Sequence, residues 1–177
     1  MKFAALLLIT APVWAQAPLK PVVAPSTEKP GVPRKTLTEL ESGIDYKLRV
    51  ANDKDPFDLL GLTRGLYLPG YGAVLTTELS LVATPSINPF KEKFTPAEIA
   101  RVHQRKAEHL PLLRNTMQGM WREAASALTS IPDSEQVVVA IRLLYQPWED
   151  TSGLPGQILM KASRKAGLAG NIQTEEQ

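Results

Sequence analysis

An α+β fold, with a small antiparallel sheet covered mainly on one face by a long helix and a C-terminal helix, is what this sequence predicts. Three patterns carry that reading. After the turn residues Pro69-Gly70-Tyr71-Gly72, side chains alternate: Ala73, Leu75, Thr77, Leu79, Leu81 and Ala83 face one way, and Val74, Thr76, Glu78, Ser80 and Val82 the other. A period of two that is rich in β-branched residues is a strand, and with Leu66 and Leu68 before the turn it makes a hairpin. Ile99, Val102, Leu110, Leu113, Met117, Trp121, Ala124 and Leu128 recur near period 3.6, the spacing of one helix face. Val137, Val139, Ile141, Leu143 and Tyr145 alternate with Val138, Ala140 and Leu144, so this run is apolar on both sides except at Arg142. Such a strand belongs at the centre of a sheet.

The other elements follow in chain order. Lys2, the apolar run Phe3 to Thr10 and the small residues Val13, Ala15 and Ala17 read as a secretory signal peptide over residues 1–17. Pro12 cuts the apolar run well short of the roughly 20 residues a membrane span needs. Residues 18–34 hold Pro18, Pro21, Pro25, Pro30 and Pro33 and predict a proline-rich tether. A single α+β domain is expected over residues 35–168, and a disordered tail over 169–177. Thr36-Leu37-Thr38-Glu39 has capping-box spacing and predicts a short helix ending at Gly43. Ile44, Tyr46, Leu48 and Val50 alternate with charged residues and predict a strand. Asn52 to Asp58 is a polar loop.

The long helix has a sharp start, with Thr95 as N-cap, Pro96 at N1 and Glu98 in the first turn. Its apolar phase survives Pro111, which predicts one kinked helix or two nearly collinear ones. The central strand is expected over residues 136–146, ended by Pro147. A loop through Trp148, Glu149 and Asp150 then leads to a last helix over 154–166, with Gly167 closing it and Arg164 and Lys165 in its final turn.

Composition excludes several chemistries. With no cysteine among 177 residues, the chain carries no thiol nucleophile, no cysteine zinc site and no disulfide staple. Lys2 is the only charge in residues 1–17, so the remaining chain has 19 basic side chains (20 less Lys2) against 18 acidic ones. That balance gives no electrostatic case for nucleic acid or an anionic membrane surface. His103 and His109 are the only histidines; on a helix six residues bring them about 120° out of line, so no metal site is expected. No cofactor is expected either. Gly70-Tyr71-Gly72 is no phosphate cradle, because such a loop must open a helix whose N-terminus meets the phosphate, and here a strand follows. The acidic loop Asn52 to Asp58 fails the calcium-loop spacing, since starting at Asp53 puts Phe57 and Asp58 at the fifth and sixth positions. Ser26-Thr27-Glu28-Lys29 fits a serine–lysine signature but sits in the tether without the companion motifs.

Polar residues that interrupt packable strands are the candidates for function. Glu78 and Arg142 either face solvent or form a cross-strand pair if their strands are neighbours. With Glu149 and Asp150 from the next loop they would offer carboxylates and a guanidinium for acid–base hydrolysis, provided the groups converge. Tyr71 at the hairpin tip and Trp148 after Pro147 are candidate binding aromatics; a tryptophan placed so also packs readily as a lid on the core.

The segments Gly65-Leu66-Tyr67-Leu68-Pro69-Gly70-Tyr71-Gly72-Ala73-Val74 and Pro147-Trp148-Glu149-Asp150 through Gly153-Leu154-Pro155-Gly156-Gln157-Ile158 resemble a group of uncharacterised exported bacterial proteins over about residues 60–165. The resemblance implies one intact domain and carries no catalytic residue across. The expectation is an exported, periplasmic or extracellular, non-enzymatic domain that binds a protein partner or itself. A hydrolase-like enzyme using Glu78, Glu149 and Asp150 with Arg142 is the alternative.

Overall fold

The longest element starts where its capping chemistry is strongest. Thr95 accepts from the Glu98 amide at 3.3 Å while the Glu98 carboxylate accepts from the Thr95 amide at 2.9 Å, so two unpaired donors are satisfied reciprocally. From there one continuous helix, α2 (Pro96–Ala127), runs through Pro111. The computed structural model describes residues 31–85 and 93–177; the signal-peptide and tether readings fall on residues that lie outside these, apart from residues 31–34. Among the described residues, no helix is long and apolar enough to cross a membrane.

The order is α1 (Arg34–Val50), β1 (Asp58–Leu59), β2 (Arg64–Leu68), β3 (Gly72–Ser80), α2, β4 (Gln136–Leu143), β5 (Gln157–Ser163), α3 (Arg164–Leu168) and β6 (Gln173–Glu176). The α+β class therefore stands. The sheet is larger than expected and mixed, with six strands in the order β1-β3-β4-β5-β6 and β2 also paired to β3. β3 and β4 run parallel, Gly72 opposite Gln136 through Leu79 opposite Leu143, because α2 carries the chain back across the sheet between them. The other pairings are antiparallel.

Several expected elements are corrected. The short helix and the strand over 44–50 are one helix, α1, and its N-cap is Pro33 with no side-chain cap, so Thr36 lies inside it. Leu37, Leu40, Ile44 and Leu48 bury one face at helical spacing, and Tyr46 and Val50, also apolar, are left exposed. Ile44 and Leu48 satisfy both periods, which is why alternation misled there. The helix expected over 154–166 is instead strand β5, whose Ile158, Met160 and Ala162 point into the core while the residues between them do not. Only the short α3 follows it. The tail expected to be disordered supplies β6, paired along β5, with Arg114 of α2 holding Glu176 at 2.6 Å. The central strand also stops earlier, at Leu143.

The core fills the space between the helices and one sheet face. Leu75 and Leu79 of β3, Val137, Val139 and Ile141 of β4, and Ile158 and Met160 of β5 meet Leu113, Met117 and Trp121 of α2. Trp121 is fully buried and its indole N–H donates to the Val137 carbonyl at 2.8 Å, so no buried donor is left unpaired there.

Helix α1 closes the β2 edge by chemistry as well as by packing. Glu41 and Asp45 stand one turn apart, a rise of about 6 Å, and the alternate amides of an extended chain stand about 6.6 Å apart. The match is used: Glu41 accepts from the Gly65 amide at 2.8 Å and Asp45 from the Thr63 amide at 2.9 Å. Arg34 holds Glu41 with both terminal nitrogens at 3.0 Å. The two carboxylates take the place that a neighbouring strand's carbonyls would occupy, which blocks edge-to-edge pairing. Glu41→Ala is expected to cost about 1–3 kcal/mol in chemical denaturation, because it strips a strand amide of its acceptor. A cost near zero would mean that the Glu41 carboxylate does not hold this edge.

Candidate functional site

All three helices lie on one side of the sheet, so the other face is set by strand alternation alone. Rows across it follow from the pairing register: Arg64, Thr76, Ala140, Leu159 and Glu175 form one, and Leu66, Val74, Val138, Lys161 and Gln173 the next. Among the described residues no helix or strand covers this face. Leu66 and Leu68 are 58% and 42% exposed there, and Leu62, just before β2, is 54% exposed. Such a run of exposed leucines on a sheet face is the kind of surface that marks an interaction site.

A hollow of about 410 Å³ opens on this face between β2 and the far ends of β4 and β5. Small residues, Thr76 and Ala140, lie between its longer neighbours; Leu62 and Arg64 line one side, and Arg142 and Gln157 the other. Glu78 lies opposite Arg142 in the parallel register, and one guanidinium nitrogen reaches its carboxylate at 3.4 Å. Both side chains are at least half exposed, so the pair faces solvent and contributes little to stability. Arg64 makes no ion pair among the described residues. It was not singled out from the sequence, although Arg64, Leu66 and Leu68 share one strand face.

The remaining candidates lie elsewhere. Glu149 turns into the helix layer, where it forms an ion pair with Lys106 of α2. Both side chains are 1% exposed. The Thr84 hydroxyl donates to the other Glu149 oxygen at 3.1 Å, and the Lys106 ammonium sits 4.7 Å from the centre of the Tyr145 ring. The Asp150 carboxylate accepts from the Ser152 amide at 2.9 Å, and hydrogen bonding from the Ser152 hydroxyl, then from that amide, holds its pKa below the ordinary carboxylate value. Glu149 is thus separated from Glu78 by the sheet, and the three carboxylates do not converge. Trp148 stacks on Phe94 with ring centres 3.9 Å apart, and its indole nitrogen is buried without a hydrogen-bond partner among the described residues. Tyr71 stands 46% exposed at the hairpin tip.

Lys106 was also missed, though a signal was present: it falls on the helix face of Val102, Leu110 and Leu113, where a charge must be paired. Burial pushes its pKa below the ordinary lysine value against the opposing pull of Glu149. Burial and the Glu149 charge push the Tyr145 phenol up to about 12 from 10.0. The sign follows from proton binding: between those two values the folded chain keeps a proton that the unfolded chain has lost. This contribution to stability is complete below pH 10 and disappears as pH rises through about 12. Denaturation midpoints taken from pH 9 to 12 are expected to fall more steeply for the parent than for Tyr145→Phe; identical slopes would refute the assignment.

His109 fastens the polar loop to α2. Its Nδ1 contacts the Arg105 carbonyl at 2.8 Å and its Nε2 lies 3.0 Å from the Asp55 carbonyl, while Arg105 grips the Asp55 carboxylate at 2.7 Å. His103 contacts the Asp150 carbonyl at 3.0 Å. Each histidine therefore ties a different loop to the helix. Among the described residues there is no group of three or more His, Asp or Glu that could hold a metal ion.

Compared with family models, with curated proteins and with solved structures, the chain matches none.

Proposed function

We propose that this chain is a non-enzymatic binding domain, exported to the cell envelope by its N-terminal segment, that docks a protein partner on the open face of its sheet. The observation that carries the reading is the placement of Leu62, Leu66 and Leu68 together on the face that no described helix covers. Each leucine is about half exposed, so a partner that covers them gains roughly half of the 1.5–3 kcal/mol of a full leucine burial, about 1 kcal/mol apiece. The rim suits recognition too, with Arg64, Arg142 and Lys161 set among the apolar side chains. Tyr71, at the end of the same hairpin, would extend the contact. Export rests on the residues 1–17 pattern and is tested by the mass of the N-terminus recovered from the envelope.

The docking reading is tested by a photo-crosslinking residue placed at Leu66 in producing cells. A discrete adduct is expected from Leu66 and none from Arg101, which is exposed on α2. Equal yields from both positions, or none from Leu66, would remove the open face as the docking surface. Sedimentation of the purified chain distinguishes a second copy from a different protein.

A further inference from the structure

The hollow beside Arg64 has more cationic donors than the protein itself uses. We propose that it seats a side-chain carboxylate from an acidic, extended segment of the protein partner, held between Arg64 and Arg142; this inference rests on the docking reading above. Arg64 shares a row with Thr76 and Ala140, and Arg142 lies two residues beyond Ala140. Two strand spacings and one two-residue step put their Cα atoms about 12 Å apart, with Thr76, Glu78 and Ala140 lining the hollow between them. Both arginines line the same hollow.

Charge decides what enters. Each guanidinium carries five N–H donors, yet Glu78 receives a single contact, at 3.4 Å from Arg142, and Arg64 has no acidic partner among the described residues. A planar carboxylate matches the donor fork of arginine and takes two bonds from it. Glu78 also lines the hollow and offsets one of the two guanidinium charges, which favours a singly charged carboxylate over a doubly charged phosphate. The flanks indicate how the segment lies. Leu62 and Leu66 stand two residues either side of Arg64, and an extended peptide repeats its side chains at the same two-residue step of about 6.6 Å. A segment reading apolar, acidic, apolar at alternate positions therefore presents its carboxylate to Arg64 and its apolar groups to the two leucines.

The test uses the purified chain and fluorescent peptides of sequence Leu-Thr-Asp-Thr-Leu with blocked ends, with the aspartate replaced by asparagine, lysine or phosphoserine in the comparison peptides. The aspartate peptide is expected to bind at least tenfold more tightly than the asparagine one, and to lose that margin between 0.05 and 0.5 M salt. Arg64→Gln should bring the aspartate peptide down to the asparagine level and leave the asparagine peptide unchanged. Arg101→Gln, which removes the same charge from the helix side, should change neither. Equal binding of the aspartate and asparagine peptides, no binding of either, an unaffected Arg64→Gln variant, or tighter binding of the phosphoserine peptide would each overturn the proposal. Binding that emerges only when residues 18–30 are removed would give the hollow to the chain's own N-terminal segment, and a dimer that blocks the peptide would give it to a second copy. A Leu66 adduct in cells together with equal peptide affinities leaves the docking reading standing and removes the carboxylate alone. Loss of the adduct removes both.

Discussion

Replacing Gly72 by alanine is expected to lower stability by more than about 3 kcal/mol, enough to leave little folded protein if the total is small. Two effects add. Gly72 has φ +136°, a conformation costing a residue with a side chain about 1–3 kcal/mol. The new Cβ would also lie 1.8 Å from the Gln136 carbonyl oxygen and 2.6 Å from the Gln136 nitrogen, both backbone atoms that cannot rotate away. Gly72 is paired on both sides, with Leu68 and with Gln136, so relief requires moving the start of β4 out of register. Gly70, two residues earlier, isolates the first effect: its φ is +83° and nothing lies within 4 Å of its added Cβ. Gly70→Ala should cost only about 1–2 kcal/mol. Urea midpoints for the two variants measure the difference, and equal costs would mean that the β3–β4 contact is not tight.

Separating Lys106 from Glu149 should be comparably severe. Glu149→Gln leaves a buried ammonium, and Lys106→Met a buried carboxylate; each is expected to cost about 3–5 kcal/mol. The double variant Lys106→Met with Glu149→Leu should recover to within about 1 kcal/mol of the parent, because no uncompensated charge remains and only the Thr84 hydroxyl loses an acceptor. Thr84 is partly exposed, so water can replace that bond. The cycle read by guanidinium denaturation therefore predicts a large coupling. Additive costs would show the pair to be incidental to the docking of the Trp148 loop on α2.

The hairpin, the long helix and the central strand were legible because each is bound to one period and bounded by its own punctuation. Thr95, Pro96 and Glu98 mark a helix start whatever lies around it, and Pro69 to Gly72 mark a bend. Segments whose periods coincide were not legible. Ile44 and Leu48 fit strand and helix alike, and α1 is chosen by the two carboxylates it presents to Thr63 and Gly65. Leu159, Met160, Lys161 and Ala162 are good helix formers with a concealed alternation, and β4 on one side and β6 on the other hold them extended.

The candidate residues divide in the same way. Glu78 and Arg142 stood out as charges in packable strands, and the parallel register puts them face to face. Arg64 gave less warning, because a charge at a strand end is ordinary until its neighbours across the sheet are known.

Local order along the chain was determined by the amino-acid sequence unaided: an α+β class, a tight glycine bend, a capped amphipathic helix, and no cysteine chemistry. Which strands became neighbours, which sheet face stayed open, and which charges were buried as pairs were decided only by tertiary structure. The reason is range. Periodicity and capping act over a few residues, whereas strand register and charge burial are settled by groups 24 to 64 positions apart, as Gly65 with Glu41 and Arg142 with Glu78 show.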